Sequence, residues 1–195
     1  MKSSFLLCFF TLFLTGNTST YRIFEQNETE HPTATGIKAY KSAEFGMSFQ
    51  QVADLPEFKD WMQDTDFPYL VKFDETIDTG KYRVTIYFFQ DKLYRVDITS
   101  AYDLFKPAEQ FAEVEQETAE LKAYLTQQFG KPNTDNGTPR MSATSPGYIN
   151  LVNKWQDGTI WATLGVSESR LGKEYKTIAK IYDLPVYRAA QAAGK

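Results

Sequence analysis

The feature that most constrains the fold is one apolar stripe between residues 107 and 129. Its apolar side chains recur at steps of three, four and seven, the spacing of one face of an α-helix: Phe111, Val114, Leu121, Leu125 and Phe129. Pro107 suits a first helical position, and Gly130-Lys131-Pro132 supplies a left-handed cap, a cation and a stop. The sequence therefore predicts a helix about 35 Å long at 1.5 Å per residue, enough to cross a sheet.

Runs of alternating apolar and polar residues lie on both sides of this helix. The predicted inward-facing sets before it are Tyr69, Val71, Phe73; Tyr82, Val84, Ile86, Phe88; and Tyr94, Val96, Ile98. The sets after it are Ile149, Leu151, Trp155; Ile160, Ala162, Leu164, Val166; and a last strand over residues 178–182. Turn residues separate the runs at Asp78-Thr79-Gly80, Gln90-Asp91 and Asp157-Gly158. Three consecutive antiparallel strands are therefore predicted before the helix, and three more after it.

A first helix is predicted ahead of the strands. Ser48 is a suitable N-cap, and the apolar pattern continues to about Asp64 with a bend at Pro56, as one helix or as two short ones. The order is then α-βββ-α-βββ, and the fold class is a two-layer α+β domain with helices packed on one face of an antiparallel sheet. A Gln-Asp step shared by the turns at residues 90–91 and 156–157 suggests an internal duplication.

The first twenty residues have the pattern of a secretory signal peptide. Lys2 precedes an apolar run over residues 5–14, and small residues follow at 15–20. The run is half of the roughly 20 residues that a spanning helix needs, so no transmembrane helix is expected in the mature chain; retention as an uncleaved anchor is the alternative. The only cysteine, Cys8, lies inside the signal, which favours a bacterial protein that is secreted or periplasmic.

The remaining chain divides by composition. Residues 21–44 are polar and predict a flexible N-terminal arm. Residues 45–185 predict a single domain, because 195 residues of which 42% are hydrophobic suffice for one core and are few for two. The alanine-rich tail, residues 186–195, predicts a short surface helix or a frayed end.

Strand alternation also predicts which side chains face away from the helices. If Val84 and Ile86 point toward the helices, their neighbours point to the opposite side of the sheet. The residues predicted to form this outer binding face are Arg83, Tyr87, Phe89, Arg95, Tyr148, Asn150, Lys154 and Trp161. Aromatic residues mixed with Arg and Lys are typical of a protein or carbohydrate binding surface. The alternative is that the arm, the loop at 133–146 or a second copy of the chain covers this face.

Residues suited to catalysis or metal binding are few. The single histidine, His31, lies in the predicted arm, and a mature chain without thiols leaves no parts for a Ser-His-Asp or Cys-His arrangement or a zinc site. No sequence motif predicts a cofactor. The net charge is -4 and the 21 Lys and Arg are scattered, so no nucleic acid partner is expected. Two acidic groups are interpreted as solvated edges: Asp60, Asp64, Asp66; and Asp74, Glu75, Asp78.

Two stretches carry a family resemblance. Gly46-Met47-Ser48-Phe49-Gln50-Gln51-Val52, followed by Leu55-Pro56, resembles the opening of the first helix in outer-membrane assembly lipoproteins of the BamE (SmpA) type. Asp91-Lys92-Leu93-Tyr94-Arg95-Val96, with a long helix closing in Phe129-Gly130-Lys131-Pro132, is similar to the plan that these proteins share with β-lactamase inhibitor proteins. The resemblance implies a non-enzymatic exported module acting on another protein. Those lipoproteins carry a lipidated cysteine directly after the signal, which this chain lacks.

The leading hypothesis is an exported, non-enzymatic protein-binding or inhibitor-like domain that acts through the outer face of its sheet. Two alternatives stay open. A polymer-degrading hydrolase could assemble a carboxylate pair in space, because such pairs leave no spacing rule in a sequence. A structural subunit could instead use the aromatic face to form a homodimer.

Overall fold

The structure is a computed structural model that describes residues 36–58, 62–63 and 70–194. Its fold is built around an antiparallel sheet. The strands are β1 (Lys38–Tyr40), β2 (Ala43–Glu44), β3 (Met62–Gln63), β4 (Leu70–Ile77), β5 (Gly80–Phe89), β6 (Lys92–Ser100), β7 (Lys106–Pro107), β8 (Thr134–Asp135), β9 (Ile149–Asp157), β10 (Ile160–Glu168) and β11 (Glu174–Asp183). The helices are α1 (Phe49–Ala53), α2 (Phe111–Phe129) and α3 (Leu184–Ala192). Single 3-10 turns occur at Pro56–Phe58, Ala101–Asp103, Ala108–Gln110 and Met141–Ala143.

The strand order explains how the two halves of the chain meet. Across the sheet the order is β3-β4-β5-β6-β11-β10-β9-β8, and β7 pairs with the end of β11. β4-β5-β6 and β9-β10-β11 are therefore two meanders whose third strands, β6 and β11, pair side by side. The predicted α+β two-layer class and the α-βββ-α-βββ order are confirmed. A duplicated unit would give this arrangement; the duplication itself stays a prediction.

α1 and α2 cover the inner face of the sheet. Leu121 and Leu125 of α2 are fully buried in the main core, and Val52 of α1 is buried in the same cluster. The sheet residues buried with them include Val71, Val84, Ile86, Val96, Ile98, Leu164 and Ile181. Each such side chain contributes roughly 1.5–3 kcal/mol when it is fully buried. The apolar side chains of the strands and those of the α2 stripe are thus buried together, between the helices and the inner face of the sheet.

α2 begins later than the sequence predicts. Lys106 and Pro107 pair with Tyr175 and Glu174 of β11, and the Ala108 amide donates to the carbonyl of Lys173 at 3.0 Å. This pairing keeps Pro107 extended, with ψ at 161°, so a 3-10 turn precedes the α-helix at Phe111. The predicted end is confirmed, because Gly130 has φ at 75° and its amide donates to Thr126.

The first helical segment forms two short pieces, one of the two predicted alternatives. The Ser48 side chain accepts a hydrogen bond from the Gln51 amide, and the Gln51 side chain accepts one from the Ser48 amide, which is a capping box. After α1 the chain forms the 3-10 turn at Pro56–Phe58, and Phe58 is buried. Asp60, Asp64, Asp66 and Tyr69 lie outside the described residues.

The folded part begins before residue 45, so the predicted arm is too long. β1 and β2 form a hairpin whose Ala39, Tyr40 and Ala43 are buried in the main core. Lys41 has φ at 51°, which allows the tight turn between the strands. The three buried residues of this hairpin lie around a short turn, where no regular spacing of apolar residues develops. Hydrophobic periodicity therefore does not predict the hairpin. The signal peptide, residues 21–35 of the arm and His31 lie outside the described residues.

The C-terminal tail is part of the domain. α3 packs Val186 and Ala190 against Tyr94, together with Tyr87 and Phe89, on the face of the sheet opposite to α2. The predicted boundary at residue 185 is therefore wrong, because the helix begins at Leu184 and its apolar side is buried. A surface helix, one of the two predicted alternatives, is what forms.

Two β-bulges change which side chains face the core. Tyr87 pairs with Arg95 and Phe88 pairs with Leu93, so Tyr94 is an extra residue and turns toward α3 rather than the core. In β9 the extra residue is Val152, because Leu164 pairs with Asn153 and Gly165 pairs with Leu151.

The β9 bulge reverses the predicted facing of residues 149–151. Ile149 pairs with the outward-facing Ser167 and Asn150 pairs with the buried Val166, so Ile149 and Leu151 face outward and Asn150 faces inward. The β9–β10 turn lies one residue later than predicted, since Asp157 pairs with Ile160 and leaves Gly158-Thr159 as the loop. The predicted Gln90-Asp91 turn is confirmed, with φ at 50° and 57°.

Buried tyrosines make the fold sensitive to alkaline pH. Burial raises the pKa of Tyr40 and Tyr82 well above the ordinary value of 10.0, and it raises the pKa of Tyr124 to about 12. A raised folded-state pKa favours the protonated phenol, so stability is complete below pH 10 and falls as the unfolded chain ionises above it. We expect the loss of far-UV circular dichroism to coincide with phenolate absorbance above pH 10.

The control for this titration is the same chain in concentrated guanidinium chloride, where the tyrosines ionise near their ordinary pKa. The buried phenols of the folded protein should ionise at higher pH than this control. Ionisation of every tyrosine near pH 10 with the circular dichroism unchanged would contradict the expectation.

Candidate binding face

The outer face of the sheet is the side that points away from α2, and strand register aligns its side chains in rows. In β5, Arg83, Thr85 and Tyr87 point to this side because Val84 and Ile86 between them are buried in the main core. Cross-strand pairs define a middle row: Lys72, Thr85, Asp97, Lys180, Thr163 and Lys154. The neighbouring aromatic row consists of Leu70, Tyr87, Arg95, Tyr182 and Trp161.

Cations and rings contact one another along the aromatic row. The guanidinium carbon of Arg95 lies 4.4 Å from the ring centroid of Tyr87. Lys154 of the middle row places its Nζ atom 3.4 Å from the ring centroid of Trp161. The Trp161 and Tyr182 ring centroids are 6.5 Å apart. Such cation–π contacts stabilise by about 0.5–1 kcal/mol at exposed sites and by about 2 kcal/mol when desolvated.

α3 covers one end of this face. Tyr187 of α3 lies with its ring centroid 4.7 Å from that of Tyr182, and it also faces the Arg95 guanidinium at 5.6 Å. Phe89 and Tyr94 are in edge contact under the helix, with centroids 6.2 Å apart. The covered end is therefore part of a small core, and further along the face Asp97 is buried whereas Lys180 and Trp161 are partly exposed.

An ion pair fixes the centre of the face. The Arg95 Nε atom donates to Asp97 Oδ1 at 2.7 Å, and a second guanidinium nitrogen donates to Asp97 Oδ2, which makes the pair bidentate. The Tyr87 hydroxyl lies 3.5 Å from the same carboxylate. Burial lowers the pKa of the Arg95 guanidinium, but the hydrogen bonds to Asp97 and the charge of Asp97, with smaller contributions from Tyr87 and Tyr187, together outweigh burial, and the net pKa is raised. Arg95 is therefore held in one orientation as a permanent cation.

Lys180 stands beside this ion pair without such a partner. Its β11 position pairs with Asp97 on one side and Thr163 on the other. The half-buried Lys180 ammonium makes no hydrogen bond or ion pair with any side chain in the described ranges. Burial lowers its pKa, the charge of Asp97 opposes that shift in part, and the charge of Arg95 lowers the pKa further. Lys180 is thus a desolvated amine for which a bound anion would be favourable.

A shallow groove of about 400 Å³ runs over this region. Among the residues that the structure describes, its charged lining comprises five basic residues and two acidic ones: Lys72, Arg83, Arg95, Lys176, Lys180, Asp97 and Asp103. Lys176 donates to Asp103 at 2.6 Å, and Arg83 donates to Asp74 at the rim at 2.9 and 3.1 Å. With Asp74 included, the described charges of this region are five basic and three acidic, an excess of positive charge on a chain whose net charge is -4.

The structure brings most of the predicted binding residues together. Arg83, Tyr87, Arg95, Lys154 and Trp161 all lie on the outer face. The other three do not contribute to the accessible face: Phe89 is covered by α3, Tyr148 precedes β9, where it is 73% exposed, and Asn150 faces inward.

Other members of the site are missed by the sequence reasoning. Lys176, Lys180 and Tyr182 alternate in β11 with buried Thr177 and Ala179, so the alternation rule could have found them. The stacking of Tyr187 depends on where α3 packs, for which the sequence holds no local signal.

Two exposed carboxyl groups have lowered pKa values. The pKa of Glu57 is lowered by a hydrogen bond from Ser42, and that of Asp135 by one from Lys122. No three His, Cys, Asp or Glu side chains among residues 36–58 and 70–194 are grouped closely enough to hold a metal ion. No helix within the described part of the chain is long and apolar enough to cross a membrane.

Fold and face together define a two-layer α+β domain with a mixed aromatic and basic sheet surface. Comparison with protein-family models, with curated proteins and with solved structures gives no match to this chain. Since one fold serves many functions, the chemistry of the outer face is what bears on the function of this protein.

Proposed function

We propose that this protein is a non-enzymatic binding domain that contacts another protein through the outer face of its sheet. The observation that carries the proposal is the row of Tyr182, Trp161 and Arg95, with Lys154 packed on a ring, on a face that α3 covers only at one end. Aromatic residues and Arg are enriched in interfaces and supply most of their binding energy.

The side chains of this face are already held in place. Asp97 orients Arg95, and Trp161 lies against Lys154, so less side-chain freedom is lost when a partner binds. The size of the face is also suitable. Six strands about 4.8 Å apart are about 24 Å wide, which is close to the roughly 28 Å edge of a square patch of about 800 Å², the area that one side of a standard interface buries.

Self-association is a second candidate, supported by a separate observation. Tyr148, Ile149 and Leu151 at the start of β9 are 73%, 45% and 37% exposed and form an apolar edge. A second copy of the chain could bury this edge and make a homodimer. A polymer-degrading hydrolase is the other alternative, and it would require two carboxyl groups facing each other, one of them with a raised pKa.

Export is part of the proposal. The signal-peptide pattern of residues 1–20 supports a secreted or periplasmic location. The resemblance to BamE-type lipoproteins and β-lactamase inhibitor proteins supports the same role, since it implies a module that acts on another protein. The absence of a cysteine directly after the signal argues against attachment through a lipid.

The proposal is tested by capture with a face-directed variant. The purified protein is immobilised and exposed to extract of the source organism, beside the Lys154→Ser/Trp161→Thr variant. We expect a protein retained by the unmodified chain to be reduced at least about tenfold on the variant, because single interface anchors contribute 2 kcal/mol or more. Captured protein is quantified by mass spectrometry.

The matched control is Leu171→Ser/Lys173→Ser, which removes one apolar and one basic side chain from the exposed β10–β11 turn at the opposite end of the strands. It should retain the partner. Equal loss on both variants, or equal retention by both, would refute a role for the outer face. Sedimentation of the purified protein separates a homodimer from a monomer and decides the second candidate.

A further inference from the structure

We infer that the groove of the outer face binds an acidic, extended peptide segment laid across the strands, with one carboxylate at Lys180. This inference rests on the proposed function and specifies the chemistry of the partner. The middle row, defined above by strand register, supplies the contacts. Two of its members, Thr85 and Thr163, carry hydroxyl groups that can donate to carboxylate oxygens beside the lysines.

Charge complementarity favours an anionic partner. The described residues that line the groove include five basic and two acidic ones, although the whole chain has 25 acidic and 21 basic residues. Positive charge is thus concentrated at this face against the overall balance. An anionic segment is attracted to such a face, and the attraction weakens as salt is added.

The surroundings of Lys180 favour binding of a carboxylate. The Asp97 carboxylate is already bound in bidentate fashion by Arg95, with the Tyr87 hydroxyl 3.5 Å away. The Lys180 ammonium beside it therefore lacks a hydrogen-bond acceptor in the described chain. A carboxylate from a partner would supply that acceptor in a partly desolvated place, where charge-assisted hydrogen bonds are strong.

Spacing along the middle row suggests the pattern of the peptide. Lys180 and Lys154 lie on β11 and β9, which are two strands apart. At about 4.8 Å between strands this step is about 10 Å, or roughly three residues of extended chain. Two carboxylates three residues apart in a peptide would meet both lysines.

The ring contacts argue against a stacked ligand. Nucleobases and sugars bind by stacking on open aromatic faces. Here Tyr182 is covered by Tyr187, Arg95 lies over Tyr87, and Lys154 lies over Trp161. A stacked ligand would have to displace these contacts, whereas an acidic peptide can bind the cations where they are.

The test measures fluorescence anisotropy of a labelled nine-residue peptide with Glu at positions 4 and 7 and Ser elsewhere. A peptide with Gln at the same positions is the neutral probe. We expect the Glu peptide to bind, the Gln peptide to bind at least about tenfold more weakly, and added salt to weaken binding. Lys180→Met should lower affinity at least about tenfold, while Lys180→Arg retains most of it.

Lys131→Met is the matched control, since Lys131 is an exposed lysine just after α2, and it should bind like the unmodified chain. Equal binding of both peptides, equal loss in both Met variants, or tighter binding of a single-stranded oligonucleotide or a sulfated polysaccharide would overturn the inference. A captured partner that the Glu peptide fails to displace would overturn it while the proposed function stands. Capture that does not depend on the outer face would refute the proposed function itself.

Discussion

Trp155→Ala is expected to lower the free energy of unfolding by about 3–5 kcal/mol, the usual cost of removing a large buried aromatic side chain. Trp155 is 1% exposed and belongs to the main core with Leu121 and Leu125 of α2. Its Nε1 atom donates to the carbonyl of Gly130 at 2.9 Å, so the same side chain holds the end of α2 against β9. In a domain of this size the melting temperature should fall by about 6–20 °C in a calorimetric scan.

Two further tryptophan variants separate packing from hydrogen bonding. Trp155→Phe keeps most of the apolar burial but leaves the Gly130 carbonyl without its donor, and it should cost about 1–3 kcal/mol. Trp161→Ala is the matched control on the outer face, where the ring is only partly buried, and its effect should be smaller than that of Trp155→Ala. Equal destabilisation by the two Ala variants would contradict the assignment of Trp155 to the core.

Gly165→Ala is expected to destabilise the protein by about 1–3 kcal/mol through overpacking. A Cβ atom at Gly165 would lie 2.5 Å from the carbonyl oxygen of Asn150 and 2.8 Å from Cγ2 of Ile149. The oxygen belongs to the backbone of the neighbouring strand, so β9 itself must move. Because the β9 bulge is adjacent, this movement should also disturb the contact between Lys154 and Trp161 and weaken binding at the outer face.

Chemical denaturation measures this effect, with Thr163→Ala in the same strand and on the same face as a control that adds no atoms. Gly165→Ala combined with Ile149→Ala should recover only part of the stability, since the backbone oxygen still obstructs the Cβ atom. Full recovery in the double variant would show that the side chain alone limits the space at this position.

Substitutions at Gly165 and Trp155 are expected to affect both the stability of the fold and the geometry of the proposed binding face. Trp155 faces the inner core, and the residues on either side of it in β9 face outward. A displacement of β9 therefore changes both the packing of the core and the positions of side chains on the outer face. Loss of binding in these two variants is therefore expected from disturbed geometry. The Lys180 variants test binding more directly, because their charge change leaves the core unaltered.

Local patterns in the sequence determined the elements and their class. The stripe of Phe111, Val114, Leu121 and Leu125 predicts α2, and its end at Gly130 is observed. Alternation predicts β5 and β10 with the core-facing residues that are buried, and the order α-βββ-α-βββ follows. These predictions succeed because helix and strand periodicity is carried by residues two to four positions apart.

Strand alternation predicts only part of the outer face, because it uses residues close in sequence. Alternation places Arg83, Tyr87 and Trp161 correctly, and it would also have placed Lys180 if applied to β11. It fails at Tyr94 and Asn150, because a bulge adds one residue and reverses the facing of the residues beyond it. Whether a bulge forms depends on the partner strand, so residues close in sequence do not reveal it.

The tertiary structure alone decided how the two halves join and what covers the sheet. Pairing of β6 with β11 places Asp97 beside Lys180, although 83 positions separate them in the sequence. Packing of α3 on the outer face buries Phe89 and brings Tyr187 onto Tyr182. The sequence by itself determined the helices, most strand faces and the aromatic and basic character of the surface. The pairing of distant strands and the position of α3 follow from burial of apolar area over the whole chain, which no local periodicity encodes.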